Sequence, residues 1–369
     1  MSPHLLMMAG GTGGHIFPGL AVARELRERG WKVTWLGTKN GMEQTLVPPD
    51  LFPLHTVAFE GIVGRGWKPK FALPFNLYSA YRNCKKLLTN LHPDVVIGMG
   101  GYPTVPGGLA ASSKGIPLLI HQSDAVAGLA NKLLAHFADR VLVGFSSVFT
   151  DVIHKRVVTG NPIRPEFALF AKPASRFAER SGPIRLLLMG GSRGAEAINT
   201  LLPLALALIP ETDRPVVTHQ SGRGSVDATK AKYSQAGVTA DVVEFIADTA
   251  RALAECDVFV GRSGASTVSE LAALGVASIL IPYPHHKDQQ QKHNAEVLAN
   301  IGAARLLDQP TLTKETLAEH IKALTRAQCL SMAQAALTVP TPTATAAICD
   351  VIESMVNIAE IKAARVTQR

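Results

Sequence analysis

The feature that most constrains this chain is an internal echo. Leu5-Leu-Met-Met-Ala9 runs into Gly10-Gly-Thr-Gly-Gly-His15, and Arg185-Leu-Leu-Leu-Met189 runs into Gly190-Gly-Ser-Arg-Gly-Ala195, each followed by a segment of helical period. The two glycine loops lie 180 residues apart. A strand, a glycine turn and a helix repeated at that distance open two Rossmann-like domains rather than one long sheet. The length of 369 residues agrees, at roughly 100–200 residues per domain. Between the echoes, short apolar runs alternate with longer helical ones, so the fold class is α/β with parallel sheets covered by helices. Expected strands include Leu5–Ala9, Val33–Leu36, Val95–Gly98, Leu118–His121, Arg140–Val143, Arg185–Met189, Val216–His219, Val258–Val260 and Ala277–Ile281, with helices such as Gly19–Arg29, Ala195–Leu208 and Thr267–Leu274. The Pro- and Gly-rich stretch Gly160–Pro183 divides an N-terminal domain, 1–162, from a C-terminal one, 163–340. After Pro340-Thr-Pro342, an amphipathic helix near Ala344–Ala364 makes 341–369 a segment expected to pack back on the first domain.

With 47% apolar and 18% charged residues the chain is globular, not disordered or fibrous. No apolar run approaches the roughly 18–20 residues that span a bilayer, and Met1–Gly14 lacks a basic n-region and a long h-region, so a mature cytoplasmic chain is expected. Cys84, Cys256, Cys329 and Cys349 are far apart and read as buried small hydrophobes. The net charge of +8 is uneven: residues 1–162 hold sixteen basic against nine acidic side chains, residues 163–369 twenty-one against twenty. Gly61–Lys86 carries Arg65, Lys68, Lys70, Arg82, Lys85 and Lys86 with no acid, interleaved with Trp67, Phe71, Leu73, Phe75, Leu77, Tyr78 and Tyr81. That mixture suits an anionic membrane surface with an apolar layer beneath it, or an ordinary solvated face. Nucleic acid is not expected as a partner, because no helix-turn-helix, RNA-recognition or zinc-finger pattern accompanies the charge.

Gly10–His15 places four glycines at a strand-to-helix turn, where backbone N–H groups and the positive helix end can cradle a phosphate. The Walker spacing is absent, and Trp35-Leu-Gly-Thr-Lys39 lacks the acid that holds an NAD ribose, which disfavours a nicotinamide enzyme. His15 opens the next helix, whose dipole favours a neutral ring; it serves either as a proton acceptor or as a plain hydrogen-bond donor. Gly190–Ala195 repeats the cradle with Ser192 and Arg193. In Gly261-Arg-Ser-Gly-Ala-Ser-Thr-Val-Ser-Glu270, Thr267-x-x-Glu270 has capping-box spacing; alternatively Glu270, in the first helical turn, accepts both hydroxyls of a ribose. His285, His286, Asp288 and His293 lack a metal-ligand spacing and are read as polar contacts, and no Asp-x-Asp occurs to hold a metal-bound nucleotide.

Six segments taken together resemble the MurG family of N-acetylglucosaminyltransferases: Gly10–His15 with Pro18-Gly19, Gly98-Met-Gly-Gly-Tyr-Pro103 with Pro106-Gly-Gly108, Thr159-Gly-Asn-Pro-Ile-Arg164, Gly190-Gly-Ser192, Arg262-Ser-Gly-Ala265 through Glu270, and Asp288-x-Gln290 with Asn294-Ala295. The resemblance runs in order over nearly the whole chain. It implies the GT-B fold, two Rossmann-like domains facing a cleft. The implied reaction moves N-acetylglucosamine from UDP-N-acetylglucosamine to the 4-hydroxyl of the muramyl sugar of undecaprenyl-linked lipid I, with inversion and with neither metal nor cofactor, at the cytoplasmic face of the cell membrane. Carried over by position, Thr12, Gly13 and Gly14 line the cleft, and Arg164, Ser192 and Ile246 contact the donor. Arg262 and the run Ala265, Ser266, Thr267, Val268, Ser269 and Glu270 hold its diphosphate and ribose, and Gln290 contacts its sugar. Gly61–Gly66 matches the family's acceptor-side loop.

The chain departs from the family at His121-Gln-Ser-Asp124, where His-Glu-Gln-Asn is usual, and at Gly190-Gly-Ser-Arg-Gly194, where the fourth residue is usually Gln. The base that takes the acceptor proton is therefore either His15 or Asp124. A UDP-sugar 2-epimerase would share fold and nucleotide but leave the basic, apolar Gly61–Lys86 segment unexplained. A membrane-docked binding subunit that relies on a separate catalytic partner would not need both domains.

Overall fold

The computed structural model describes residues 2–59, 68–191, 195–286, 288–339 and 343–367, with side chains described except at 68–72 and 357–367. The chain divides into two compact units, Met1–Ile163 with Thr343–Arg369, and Arg164–Pro342.

The first unit is built on β1 (His4–Ala9), β2 (Lys32–Thr38), β3 (Leu54–Val57), β4 (Val95–Gly100), β5 (Leu118–Gln122), β6 (Arg140–Val143) and β7 (Arg156–Val158). All pair in parallel, in the order β3-β2-β1-β4-β5-β6-β7. Its helices are α1 (Gly13–Glu28), α2 (Glu43–Leu46), α3 (Lys68–Leu91), α4 (Thr104–Ser113) and α5 (Leu129–Leu134). The second unit carries α6 (Pro173–Ala178), β8 (Arg185–Met189), α7 (Glu196–Ala207), β9 (Val216–Gln220), α8 (Val226–Gln235), β10 (Asp241–Val243), α9 (Thr249–Glu255), β11 (Val258–Gly261), α10 (Ala265–Leu274), β12 (Ala277–Leu280), α11 (Gln290–Ala299), β13 (Ala304–Leu306), α12 (Lys314–Lys322) and α13 (Arg326–Ala336). Its sheet is again parallel, in the order β10-β9-β8-β11-β12-β13.

Both orders reverse direction beside the unit's first strand, so each unit has a switch point, between β1 and β4 and between β8 and β11, where ligands of doubly wound sheets bind beyond the strand ends. The expected α/β class and the two parallel sheets are what the chain adopts. Strand alternation explains the two-sided core. Leu5, Met7 and Ala9 of β1 face α1, while Leu6 and Met8 face α3 and α4. The last helix, α14 (Ala344–Thr367), adds Ile348, Cys349, Ile352 and Met355 to the α1 side. Arg29 fastens it through Asp350 (2.6 Å) and Glu353 (3.0 Å), and the Trp31 indole N–H donates to Glu353 (3.2 Å).

Two helix starts differ from expectation. The first helix begins at Gly13, six residues before the expected Gly19, so Gly13, Gly14 and His15 form its opening turn. Helix α10 begins at Ala265, with Gly264 in extended conformation before it.

Candidate functional site

In the first unit the β1–β4 switch point carries the glycine turn. Gly10 N–H donates to Gly100 O (3.3 Å), and the β1–β4 register slips by one residue after Met8. Beyond it, the imidazole of His15 lies on the backbone of Gly100. A side chain there would bring its Cβ within 2.5 Å of His15 Cδ2, and Gly100 holds φ +116°, a region that favours glycine. This explains why the Gly98–Gly101 run has no side chain at its end. His15 Nδ1 is 3.3 Å from Gly10 O. A carbonyl only accepts, so Nδ1 carries the proton and Nε2 presents its lone pair. Burial lowers the pKa of His15 below its ordinary value, partly opposed by Gly10 O and by the charge of Asp124. The expected neutral ring is thus present, with burial rather than the helix end as its leading cause.

The phosphate-cradle reading of Gly10–Gly11 is corrected by the structure. Gly11 N–H already donates to the Glu43 carboxylate (3.1 Å), which also accepts from Thr38 N–H (2.5 Å) and Thr38 Oγ1 (2.7 Å). Burial pushes Glu43 upward, yet these bonds prevail and hold it below the usual carboxylate range. The second loop repeats the arrangement with a neutral group: Gly191 N–H donates to Gln220 Oε1 (3.1 Å), and Gly190 N–H to Gln220 O (2.9 Å). What each loop offers a ligand is therefore the helix start behind it. In the first unit that start is exposed Thr12 followed by Gly13 and Gly14.

Asp124 is close enough to His15 to act on it by charge. The departure at Gln122 has a structural explanation. The Gln122 amide donates to Val126 O (2.9 Å) and Asp124 O (3.3 Å), and its Oε1 accepts from Gly128 N–H (3.2 Å) and Asn131 Nδ2 (2.9 Å). A side chain that both donates and accepts binds residues 124–131 into one loop; a carboxylate in its place would do only the accepting half.

In the second unit the site centres on α10. No side chain caps this helix, so the expected capping box is not formed: the helix starts two residues before Thr267, and Ser263 Oγ instead donates to Gln291 O (2.7 Å). Glu270 consequently sits in the second turn, not the first. Its carboxylate is 3.6 Å from Arg164 Nη2, and Arg164 also contacts Glu166 (3.4 Å), Thr249 Oγ1 and the face of Phe167. Burial pushes Glu270 up to about 7; Arg164 opposes the rise and Glu166 adds to it. The first-turn N–H groups of Ala265, Ser266 and Thr267 precede the first helical hydrogen bond, which Val268 N–H makes to Gly264 O (3.0 Å). Val268 and Ser269 are wholly buried, so of the expected run only the first three residues and Glu270 can meet a ligand. Arg262 is directed at the carbonyls of Ile281 (2.9 Å) and Pro282 (3.1 Å) and lies over Tyr283, shaping the loop after β12. Gln290 begins α11 and donates to Asp288 (3.0 Å), and Ile246 is half-buried in the loop after β10. Ser192, Arg193, Gly194 and Gly61–Gly66 lie outside the described residues.

His285 and His286 pack edgewise on Tyr283, and His293 pairs with Glu296 (2.9 Å). Among the described residues no cluster of three His, Cys, Asp or Glu side chains could hold a metal ion, and no helix is long and apolar enough to cross a membrane. On α3, Phe75 (78% exposed) and Tyr78 (60%) share an outward face with exposed Arg82, Lys85 and Lys86. The residues that sequence reasoning missed are Glu43 and Gln220, whose partners are distant in sequence.

The sequence model of the glycosyltransferase family 28 N-terminal domain matches residues 5–143, and that of the family's C-terminal domain matches residues 185–347. The UDP-N-acetylglucosamine–N-acetylmuramyl-(pentapeptide) pyrophosphoryl-undecaprenol N-acetylglucosamine transferase of Cupriavidus necator is 48% identical over 351 residues, 95% of this chain and 98% of that protein. The protein of the same description from Nitrosomonas europaea is 46% identical, with the same coverage. Among solved structures, Acinetobacter baumannii MurG superposes with a TM-score of 0.84 at 36% identity, over 95% of this chain and 99% of that one.

Proposed function

This chain belongs to glycosyltransferase family 28 and, within it, to the MurG family, and from that premise we propose that it moves N-acetylglucosamine from UDP-N-acetylglucosamine to the 4-hydroxyl of the muramyl sugar of lipid I, giving lipid II for peptidoglycan. The observation that carries this reading is the 46–48% identity, over almost the full length of both partners, to enzymes described by that transfer.

The geometry supports a division of roles. The second unit holds the donor: first-turn N–H groups of Ala265, Ser266 and Thr267 and the Arg164 guanidinium face the diphosphate, Glu270 accepts the ribose hydroxyls, and Ile246 and Gln290 contact uridine and sugar. The first unit holds the acceptor at Thr12, Gly13 and Gly14. His15 Nε2 takes the proton of the acceptor hydroxyl as its oxygen attacks the anomeric carbon from the face opposite the leaving group. The carbon–oxygen bond to UDP breaks, and the negative charge that grows on the departing diphosphate meets the helix start and Arg164. Asp124 stabilises the imidazolium that His15 becomes, as a carboxylate near a catalytic histidine does. Phe75, Tyr78, Arg82, Lys85 and Lys86 dock α3 on the anionic cytoplasmic face of the membrane, which brings the lipid-linked acceptor within reach.

The test is turnover by the purified chain alone, with labelled UDP-N-acetylglucosamine, detergent-dispersed lipid I and excess chelator. Labelled lipid II is expected. Absence of transfer, or transfer only after a divalent metal is restored, would overturn the reading.

A further inference from the structure

Glu43 is a wholly buried carboxylate that the transfer reaction as described does not use. Three glycines surround it. A Cβ at Gly10 would stand 2.8 Å from its Oε1, one at Gly37 2.5 Å from its Cγ, and one at Gly41 would collide with both oxygens. The carboxylate therefore occupies a site shaped to admit it. One of its oxygens accepts from Gly11, whose φ of +91° turns the chain between β1 and α1. Gly11 N belongs to the same peptide unit as the Gly10 carbonyl. That carbonyl is the acceptor for His15 Nδ1.

We propose that Glu43 is a positioning residue for the transfer reaction: by latching Gly11 N–H it fixes the Gly10–Gly11 peptide, and through that peptide's carbonyl it holds His15 in the orientation and tautomer whose Nε2 accepts the acceptor's proton. The peptide is planar, so holding its N–H sets the direction of its C=O. A charge-assisted bond is roughly twice as strong as a neutral one, which suits a peptide that must direct a catalytic ring. The second unit makes the comparison within one molecule. Gln220 latches Gly191 N–H from the end of β9 in the same way, but no histidine follows that loop, and a neutral amide suffices there. The inference rests on His15 as the base, so its test separates the two ideas.

The experiment uses the full chain as Glu43→Gln and as Gly41→Ala. The first removes the charge and sets an amide N–H against a donor; the second keeps the charge and pushes the carboxylate off Gly11 from an outer loop. Nitrogen-15 spectra of the His15 ring, recorded above its pKa, are expected to show protonated Nδ1 and bare Nε2 in the parent and a mixture of tautomers in both variants. Both variants are expected to lose kcat by about a hundredfold, the scale of a misplacement near 1 Å, with UDP affinity in the second unit unchanged. Should Glu43→Gln not fold, Gly41→Ala carries the test. An unchanged tautomer signal in a folded variant would overturn the latch. A shifted signal with unchanged kcat would overturn its part in catalysis. His15→Ala with full turnover would refute the base alone and leave the tautomer measurement standing.

Discussion

Replacing Glu270 by Gln separates what this residue does for folding from what it does for the donor. Burial raises its pKa from an ordinary 4.5 to about 7 despite Arg164 at 3.6 Å. The native state therefore holds this proton more tightly than the unfolded chain does. Its stabilising contribution is complete below about pH 4.5 and is lost as the pH rises through about 7. A shift of this size corresponds to about 3 kcal/mol, at 1.36 kcal/mol per pH unit. The Glu270 side chain is only 19% exposed, so solvent screening leaves most of that figure in place. Gln has the same shape and does not titrate. Glu270→Gln should match the parent in stability near pH 4.5 and exceed it by about 3 kcal/mol at pH 8, or about 6–12 °C in the melting of a unit of this size.

Donor binding should move the opposite way. The ionised carboxylate accepts charge-assisted hydrogen bonds from the ribose hydroxyls, each worth roughly 1.5–3 kcal/mol, so the variant should bind UDP between about tenfold and a hundredfold more weakly at pH 8. Below pH 7, as Glu270 takes up its proton, the gap should narrow; the variant measured over the same range accounts for the titration of UDP itself. Urea denaturation and titration calorimetry from pH 5 to 8.5 provide both curves. A stability difference independent of pH would refute the assignment of the burial penalty to Glu270. Equal UDP affinity at pH 8 would remove Glu270 from the donor site.

His15→Ala should lower kcat by roughly 10²–10⁴ with UDP affinity retained, and steady-state kinetics with both substrates varied would contradict the base assignment if kcat survived. Asp124→Asn should keep most of the activity and move the acid limb of the kcat profile to lower pH, because the Asp124 charge raises the pKa of His15; a collapse of kcat at all pH values would instead make Asp124 the base. Exchanging Arg82, Lys85 and Lys86 together for Gln should weaken binding to anionic vesicles by roughly 1 kcal/mol per charge while a water-soluble acceptor analogue is still used. Unaltered vesicle sedimentation would leave α3 an ordinary solvated face.

The nine strands legible in the sequence are the interior strands of the two sheets, and the four that escaped, β3, β7, β10 and β13, are the four edges. Burial explains the division. Interior strands such as β4 and β5 are buried at every residue and so read as continuous apolar runs, whereas β3 and β10 each bury one residue and β7 none. Site residues followed a related rule. Those announced by backbone geometry, the glycine turns before His15 and Ala265, were visible because a tight turn restricts residue type. Gln122 looked like a lost carboxylate because its four hydrogen-bond partners appear only once residues 124–131 have folded around it. Thr267-x-x-Glu270 has the right spacing for a cap, and only the extended Gly264 shows that the helix begins earlier and leaves Glu270 clear of its end.

The two glycine turns, almost identical as sequence, differ in what holds them. Each lends the N–H of its second glycine to a side chain from the far end of the neighbouring strand, Glu43 in one unit and Gln220 in the other. In both, that N–H is spent inside the protein, and ligand anions are left with the helix starts. Such a latch is invisible to local pattern because Gly11 and Glu43 are 32 residues apart and Gly191 and Gln220 are 29. Its only local trace is the small residues at Gly37 and Gly41, which make room for a carboxylate. The echo in the sequence thus records a shared backbone turn, and the difference in chemistry between the units arises from the second strand of each: a charged latch where the peptide must aim a histidine, and a neutral one where it need only hold a turn beside a bound diphosphate.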